Sequence, residues 1–277
     1  NSVSLEKEYI QLYETNLKKE FSIPNFPAYE EEPPLVNNYQ ISSDYIYFSN
    51  ENNDFIYNYP YFIFEIFDES KINNYASYSY SILDNNGEYI GSTSASYELI
   101  KIAENENYIS YFANSLYSNG SYLSELEEIN QIDFEYFEIT DDYGNQANLD
   151  IANINFVNLE LENDFSFEDI ISVETLIDEN IDNFDGDFYK QIFEIKLDGL
   201  FSYDSGYLTY TNEDGESSIN ISDFSVSKVD QSNNITYLTS VKNIDQNEFK
   251  SGLWNLSGGM FNDSSLDSDS ININSSF

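Results

Sequence analysis

Aromatic and branched apolar residues alternate with Ser, Asn, Asp and Glu along most of the chain, a period-two pattern that predicts β-strands rather than helices. Tyr61-Phe62-Ile63-Phe64-Glu65-Ile66-Phe67 reads as a buried strand between Pro60 and Asp68. Residues 77–83 alternate Tyr, Ile and Leu with Ser, then meet the hairpin signal Asp84-Asn85-Asn86-Gly87. Residues 133–140 alternate acidic with aromatic side chains and break at Asp141-Asp142-Tyr143-Gly144-Asn145. The later chain repeats the scheme: strands over 191–197 and 206–211, a turn at Asn212-Glu213-Asp214-Gly215, and a strand over 219–226. Helix is expected only as short turns within 95–106 and 123–129.

The repetition is specific. Phe64 answers to Phe193, Gly87 to Gly215, and Gly120-Ser121-Tyr122-Leu123 to Gly252-Leu253-Trp254-Asn255, at an offset of roughly 130 residues. Repeats of that length are whole domains rather than solenoid turns. The expected fold is therefore all-β, with tandem Ig-like antiparallel β-sandwich domains over 33–157 and 158–277. Residues 1–32 stand outside both. Asn16-Leu17-Lys18-Lys19-Glu20-Phe21-Ser22 echoes the stretch 158–166, so this segment is expected to be the terminal strand of a preceding unit, or a donor strand, followed by a Pro/Glu linker. Asn1 falls inside the pattern, and the chain is expected to be a portion of a longer protein.

Composition then narrows the function classes. Ten basic against fifty-one acidic residues give a formal charge of −41. Nucleic acid and anionic membranes are excluded as expected partners, because no basic surface exists to meet phosphate. Self-repulsion of this size requires salt or bound cations to screen it, which fits a saline setting. The 25 Tyr and 21 Phe argue for a folded chain despite that charge. Cys and His are absent, which removes disulfides, thiol chemistry, Ser-His-Asp triads and the usual general base. No signal peptide is visible, nor any apolar run long enough to span a bilayer. The expectation is a protein without catalytic function.

The stretch Ile139-Thr140-Asp141-Asp142-Tyr143-Gly144-Asn145 resembles the D-x-x-G-N turn that closes late strands in tandem Ig-like or cadherin-like repeats of bacterial and archaeal surface proteins. The Pro33-Pro34 entry, the early strand ending at Asp68 and the Gly252-Leu253-Trp254 strand start are similar to those repeats too. The second copy departs from the pattern, with Asn262-Asp263-Ser264-Ser265-Leu266-Asp267 in place of D-x-x-G-N. The resemblance implies an extracellular or cell-surface location, a structural or adhesive role, and calcium held by acidic loops.

Two loops carry the carboxylates and amides a hard cation requires. Asp178, Asn180, Asp182, Asp185 and Asp187 fall within ten residues, though the glycine comes too late for an EF-hand and no closing Glu follows. Asp68 and Glu69 with Asp141 and Asp142 form the second candidate, at one end of the first domain. Trp254, aligned with Tyr122, is expected in the core rather than stacked on a sugar. The expected function is part of a surface array or a filament subunit assembled by strand donation, with copies of itself or neighbouring domains as partners. The alternative is a carbohydrate-binding module or a receptor-binding fibre domain, with a glycan as partner.

Overall fold

The computed structural model describes residues 32–43, 45–49, 55–57, 60–68, 71–115, 129–159, 161, 165–178, 181, 184–185, 187–203, 205–245, 247, 252–261, 264–266 and 276–277. Of the segment expected as a preceding or donor strand, 1–32, residues 1–31 lie outside them, as do residues 123–128 of the helical turn expected within 123–129, whose last residue, Ile129, is strand. Ten strands are found among the described residues of the first half: β1 (Leu35–Ile41), β2 (Tyr45–Ser49), β3 (Phe55–Tyr57), β4 (Phe62–Phe67), β5 (Tyr75–Asp84), β6 (Tyr89–Glu104), β7 (Ile109–Ser115), β8 (Ile129–Thr140), β9 (Gln146–Asn148) and β10 (Ile154–Asn158). They form one sheet in the order β1-β4-β7-β6-β5-β8-β10-β2-β3, with β9 also pairing β8. Every pair is antiparallel except β10 with β2. No helix among the described residues is long and apolar enough to cross a membrane.

The alternation read from the sequence sets the inner face of this sheet. Phe62, Phe64 and Ile66 on β4, Tyr78, Tyr80 and Ile82 on β5, and Phe137 and Ile139 on β8 are buried. Strand β4 stands four places away from β8 in the sheet, yet Phe62 and Phe64 meet Phe137 of β8 at ring-centroid distances of 5.4 and 5.1 Å. The sheet therefore curls over on itself and encloses an aromatic core between β4 and β8. Offset and edge-to-face ring contacts of this kind add about 0.5–1.5 kcal/mol per pair beyond area burial.

The second half holds β11 (Ile170–Thr175), β12 (Phe184–Asp185), β13 (Phe188–Asp198), β14 (Gly206–Asn212), β15 (Ser218–Ile221), β16 (Ser225–Asp230), β17 (Ile235–Asp245), β18 (Trp254–Phe261) and β19 (Ser264–Leu266), preceded by one 3-10 turn at Phe167–Asp169. They divide into two sheets, β11-β13-β17-β16 and β15-β14-β18-β19. The two halves share a topology once β6 is matched to β15 plus β16. The path β1-β4-β7-β6 corresponds to β11-β13-β17-β16, and β6-β5-β8-β9 to β15-β14-β18-β19.

One strand explains why the first half has a single sheet where two were expected. β6 runs 16 residues without a break, pairing β5 from Tyr89 to Glu98 and β7 from Tyr97 to Glu104. Its counterpart is interrupted at Ser222-Asp223-Phe224, where Asp223 takes φ 61° and Phe224 is buried against Tyr203 and Phe261. Ser240 Oγ donates to the Ser222 carbonyl at 2.5 Å and pins the corner. The single strand expected over 219–226 is therefore two strands in two sheets.

Two further expectations are corrected. Residues 95–104 are strand, not a helical turn, because Tyr97 and Leu99 face the core at period two. The counterpart of Trp254 is Ile129 rather than Tyr122: Trp254 pairs with Asn212, and Ile129 pairs with Asp84, the residue equivalent to Asn212. The expectation that Trp254 lies in the core holds. It is fully buried and stacks on Phe277 at 6.2 Å.

Candidate functional site: acidic turns and the junction of the two halves

The D-x-x-G turn is built the same way at two places in the first half. Asp84 Oδ1 accepts from the amides of Asn86 and Glu88, each at 2.8 Å. Asp141 Oδ1 accepts from Tyr143 and Asn145, also at 2.8 Å, and Asn145 Nδ2 reaches Asp141 Oδ2 at 2.8 Å. In both turns the fourth residue is a glycine whose amide donates to the carbonyl of the Asp, at 3.0 Å for Gly87 and 3.1 Å for Gly144. The second half keeps the turn with Asn212 in the Asp position, and Gly215 donates to its carbonyl at 2.8 Å. Gly87 and Gly215 have φ of 77° and 70°, the left-handed region an L side chain enters only with strain.

These carboxylates serve their own backbone. Burial pushes the Asp141 carboxyl upward, but the side chain and amide of Asn145 and the amides of Tyr143 and Gly144 outweigh it and hold the group below the usual range. The Asp84 carboxyl is likewise held low, chiefly by the Glu88 amide. The bend containing Lys71 and Ile72, just beyond Asp68, lies against the Asp141 turn. The Asp142 amide donates to the Lys71 carbonyl at 2.8 Å, and Ile72 bridges to Asp141. Lys71 and Ile72 are thus neighbours of the Asp141-Asp142 turn, Glu69 lies outside the described residues, and the oxygens of Asp141 already hold protein donors.

In the other candidate loop, Asp178 is exposed and its amide donates to the Ile102 carbonyl at 2.8 Å. Asp187 is an exposed turn residue, and Asp185 lies in β12. Asn180 and Asp182 are outside the described residues, and so is the side chain of Asp185. Among the described residues no three Asp or Glu gather closely enough to hold a metal ion.

A second site emerges where the two halves meet. The outer faces of the β4-β7-β6 and β13-β17 strands pack together through Ile100, Ile102, Phe112, Ile177 and Ile192, with Tyr61, Ile63 and Val241 at the margin. Phe112 and Ile192 have no solvent exposure although both point away from their own cores. Full burial of such a side chain contributes about 1.5–3 kcal/mol. Around this apolar centre stand polar bonds between the halves. Lys190 pairs with Glu98, each 15% exposed. Tyr61 Oη donates to Glu194 Oε2 at 3.3 Å, and Ser42 Oγ donates to the Ser227 carbonyl at 2.7 Å.

Glu194 faces Tyr61 from the first half, and Glu174, Lys228, Lys196 and Tyr237 from its own sheet. Burial raises its pKa; Glu174 adds to this, while the Tyr61 hydroxyl and the two lysines oppose it. Burial and the neighbouring Glu194 push the Tyr61 hydroxyl above its ordinary range in turn. Lys228 sits over the Tyr237 ring at 4.7 Å, and its charge also acts on the Glu194 carboxylate.

Sequence reasoning found the turns and missed the junction. One signal pointed to it. Ile63-Phe64 and Ile192-Phe193 break strict alternation, as strands covered on both faces do. No family model matches the chain, and no characterised protein matches it.

Proposed function

We propose that the chain is a segment of an extracellular or cell-surface structural protein, made of two Ig-like sandwiches that work as one stiff element in an array or filament. The strand orders support the Ig-like reading: in the second half, β11-β13-β17-β16 and β15-β14-β18-β19 follow the A-B-E-D and C′-C-F-G orders of that fold, with β12 as a short addition to β13. The single observation that carries the mechanical role is the junction. Its fully buried Phe112 and Ile192, with the Lys190–Glu98 pair beside them, resist the hinge motion expected of loosely linked domains. A glycan site at Trp254 is not part of this reading, since that ring is buried.

Residues 1–32 would supply the strand given to a neighbour, and salt or calcium would screen the −41 charge between copies. Electron microscopy of the assembled protein with limited proteolysis is the test. The reading expects fibres or a lattice in which residues 1–32 resist cleavage and are cut in the dispersed chain. A monodisperse monomer at high salt and calcium, with that segment equally cleavable throughout, overturns it.

A further inference from the structure

We propose that the outer face of the β6-β5-β8 part of the first sheet is a docking surface for a neutral polysaccharide. Strands β5 and β6 present three serines each, and the register sets them directly opposite: Ser77 to Ser96, Ser79 to Ser94 and Ser81 to Ser92. Directly paired residues share a face. That face points to solvent, because the intervening Ala76, Tyr78, Tyr80 and Ile82 are all buried. The result is a grid of hydroxyls about 4.8 Å apart across the strands and about 6.8 Å apart along them.

Aromatic rings and a carboxylate complete the surface. Tyr136 on β8 is the direct partner of Ser79, so its ring lies on the same side. Glu135, in the adjoining bulge, accepts from Ser79 at 3.1 Å and from Ser81 at 2.5 Å. Tyr75 stands beyond one end of the grid and Tyr89 at the other, where its hydroxyl donates to Ser92 Oγ at 3.0 Å. The three rings are 55%, 63% and 42% exposed for Tyr75, Tyr89 and Tyr136.

This chemistry selects its occupant. An anionic polymer meets Asp133, Glu135 and Glu138 with no lysine among the paired positions, and is repelled. A second copy brings the same carboxylates and is repelled too. An apolar partner leaves the hydroxyls stripped of water without bonds. A neutral sugar chain offers hydroxyls that both donate and accept, and C–H faces that lie on tyrosine rings.

The second half supplies the contrast. Its equivalent face carries Thr209 opposite Asn220 and Thr211 opposite Ser218. There Thr209 Oγ1 bonds Asn220 at 2.9 Å and Thr211 Oγ1 bonds Ser257 Oγ at 2.7 Å, so the polar groups satisfy one another. The side chains of Ser77, Ser94 and Ser96 make no hydrogen bond to another described residue. The binding surface is therefore assigned to the first half.

Affinity electrophoresis of the full chain through gels holding a mixed-linkage β-glucan, a galactomannan, a xylan or alginate tests this. At least one neutral polysaccharide is expected to retard the chain, and alginate is not. Ser79→Val with Ser94→Val should weaken that retardation about tenfold, as loss of two neutral hydrogen bonds requires, while Thr209→Val leaves it unchanged. Tyr136→Ala is the second variant, should the valines disturb folding, and is expected to weaken it as well. No retardation by any neutral polymer, retardation of the serine and tyrosine variants equal to that of the unsubstituted chain, or retention by polylysine alone would overturn the assignment. None of these results depends on assembly, so the structural reading is tested separately.

Discussion

The two halves of this chain have one strand order and two ways of closing it. In the first, β6 passes from one layer to the other unbroken and leaves a single curled sheet. In the second, the strand stops at Ile221, turns through Asp223 and resumes at Ser225 in the other sheet. The difference is local, three residues in length, yet it decides whether the fold has one sheet or two. Strand order is thus the robust feature, since it follows from which apolar faces must be buried. Sheet continuity depends on whether one residue accepts a left-handed backbone.

The largest effects should come from the matched core positions Phe64 and Phe193, both fully buried. Alanine at either is expected to cost about 3–5 kcal/mol. Trp254 lies in the second core, so its fluorescence reports unfolding of that half alone. With the junction intact, Phe64→Ala should still move the urea midpoint seen by Trp254. A Trp254 midpoint left at the wild-type value would mean that the halves unfold independently.

Breaking the junction comes next. Lys190→Met strands Glu98 in a mostly buried position and should cost about 2 kcal/mol. It should also separate the Trp254 transition from the one seen by circular dichroism. Adding Glu98→Met ought to recover most of the loss, because an apolar pair needs no counter-charge; a double variant no better than the single one would argue against the ion pair as the cause.

The strand break can be probed at Asp223. Valine there is expected to cost about 2 kcal/mol through strain at positive φ, and glycine to stabilise by about 0.5 kcal/mol. Equal melting temperatures for the two variants would remove Asp223 from the explanation. By contrast, the turn glycines should behave alike in both halves. Gly87→Ala and Gly215→Ala each meet open space, so only the backbone matters and each should cost about 1 kcal/mol.

The smallest effects are in pH dependence, and the halves differ in sign. The folded pKa of Asp141 is depressed, so its contribution is present above the unfolded pKa and is lost as pH falls through the folded one. Glu194 is raised, so the folded state holds its proton more tightly and stability declines as pH rises from the unfolded toward the folded pKa. Glu194→Gln keeps an acceptor for the Tyr61 hydroxyl and should raise the melting temperature near neutral pH. Unchanged curves of melting temperature against pH for Glu194→Gln would show that the charge is already relieved.

Much of the fold was legible along the chain. Alternation placed β4, β5, β8, β13 and β14, and the Asp-x-x-Gly signals placed the hairpin turns, because both depend on residues within a few positions of one another. The echo at Gly120 and Gly252 misled, since similar short strings need not share a strand register; only the pairing of Asp84 with Ile129 and of Asn212 with Trp254 reveals the true counterpart. Acidic residues drew the eye toward metal, yet Asp84 and Asp141 spend their oxygens on their own turns, a use that composition does not distinguish from ligation.

By itself, then, the sequence determined strand content, the turns, the duplication and the extreme charge, all of which follow from local pattern and composition. The tertiary structure alone decided three things: whether the crossing strand stays whole, which outer faces cover each other, and which are left open. Ile192 and Ser79 both occupy outward positions on alternating strands. One is sealed beneath the other half and the other faces water, because long-range packing decides which outward faces lie against another sheet.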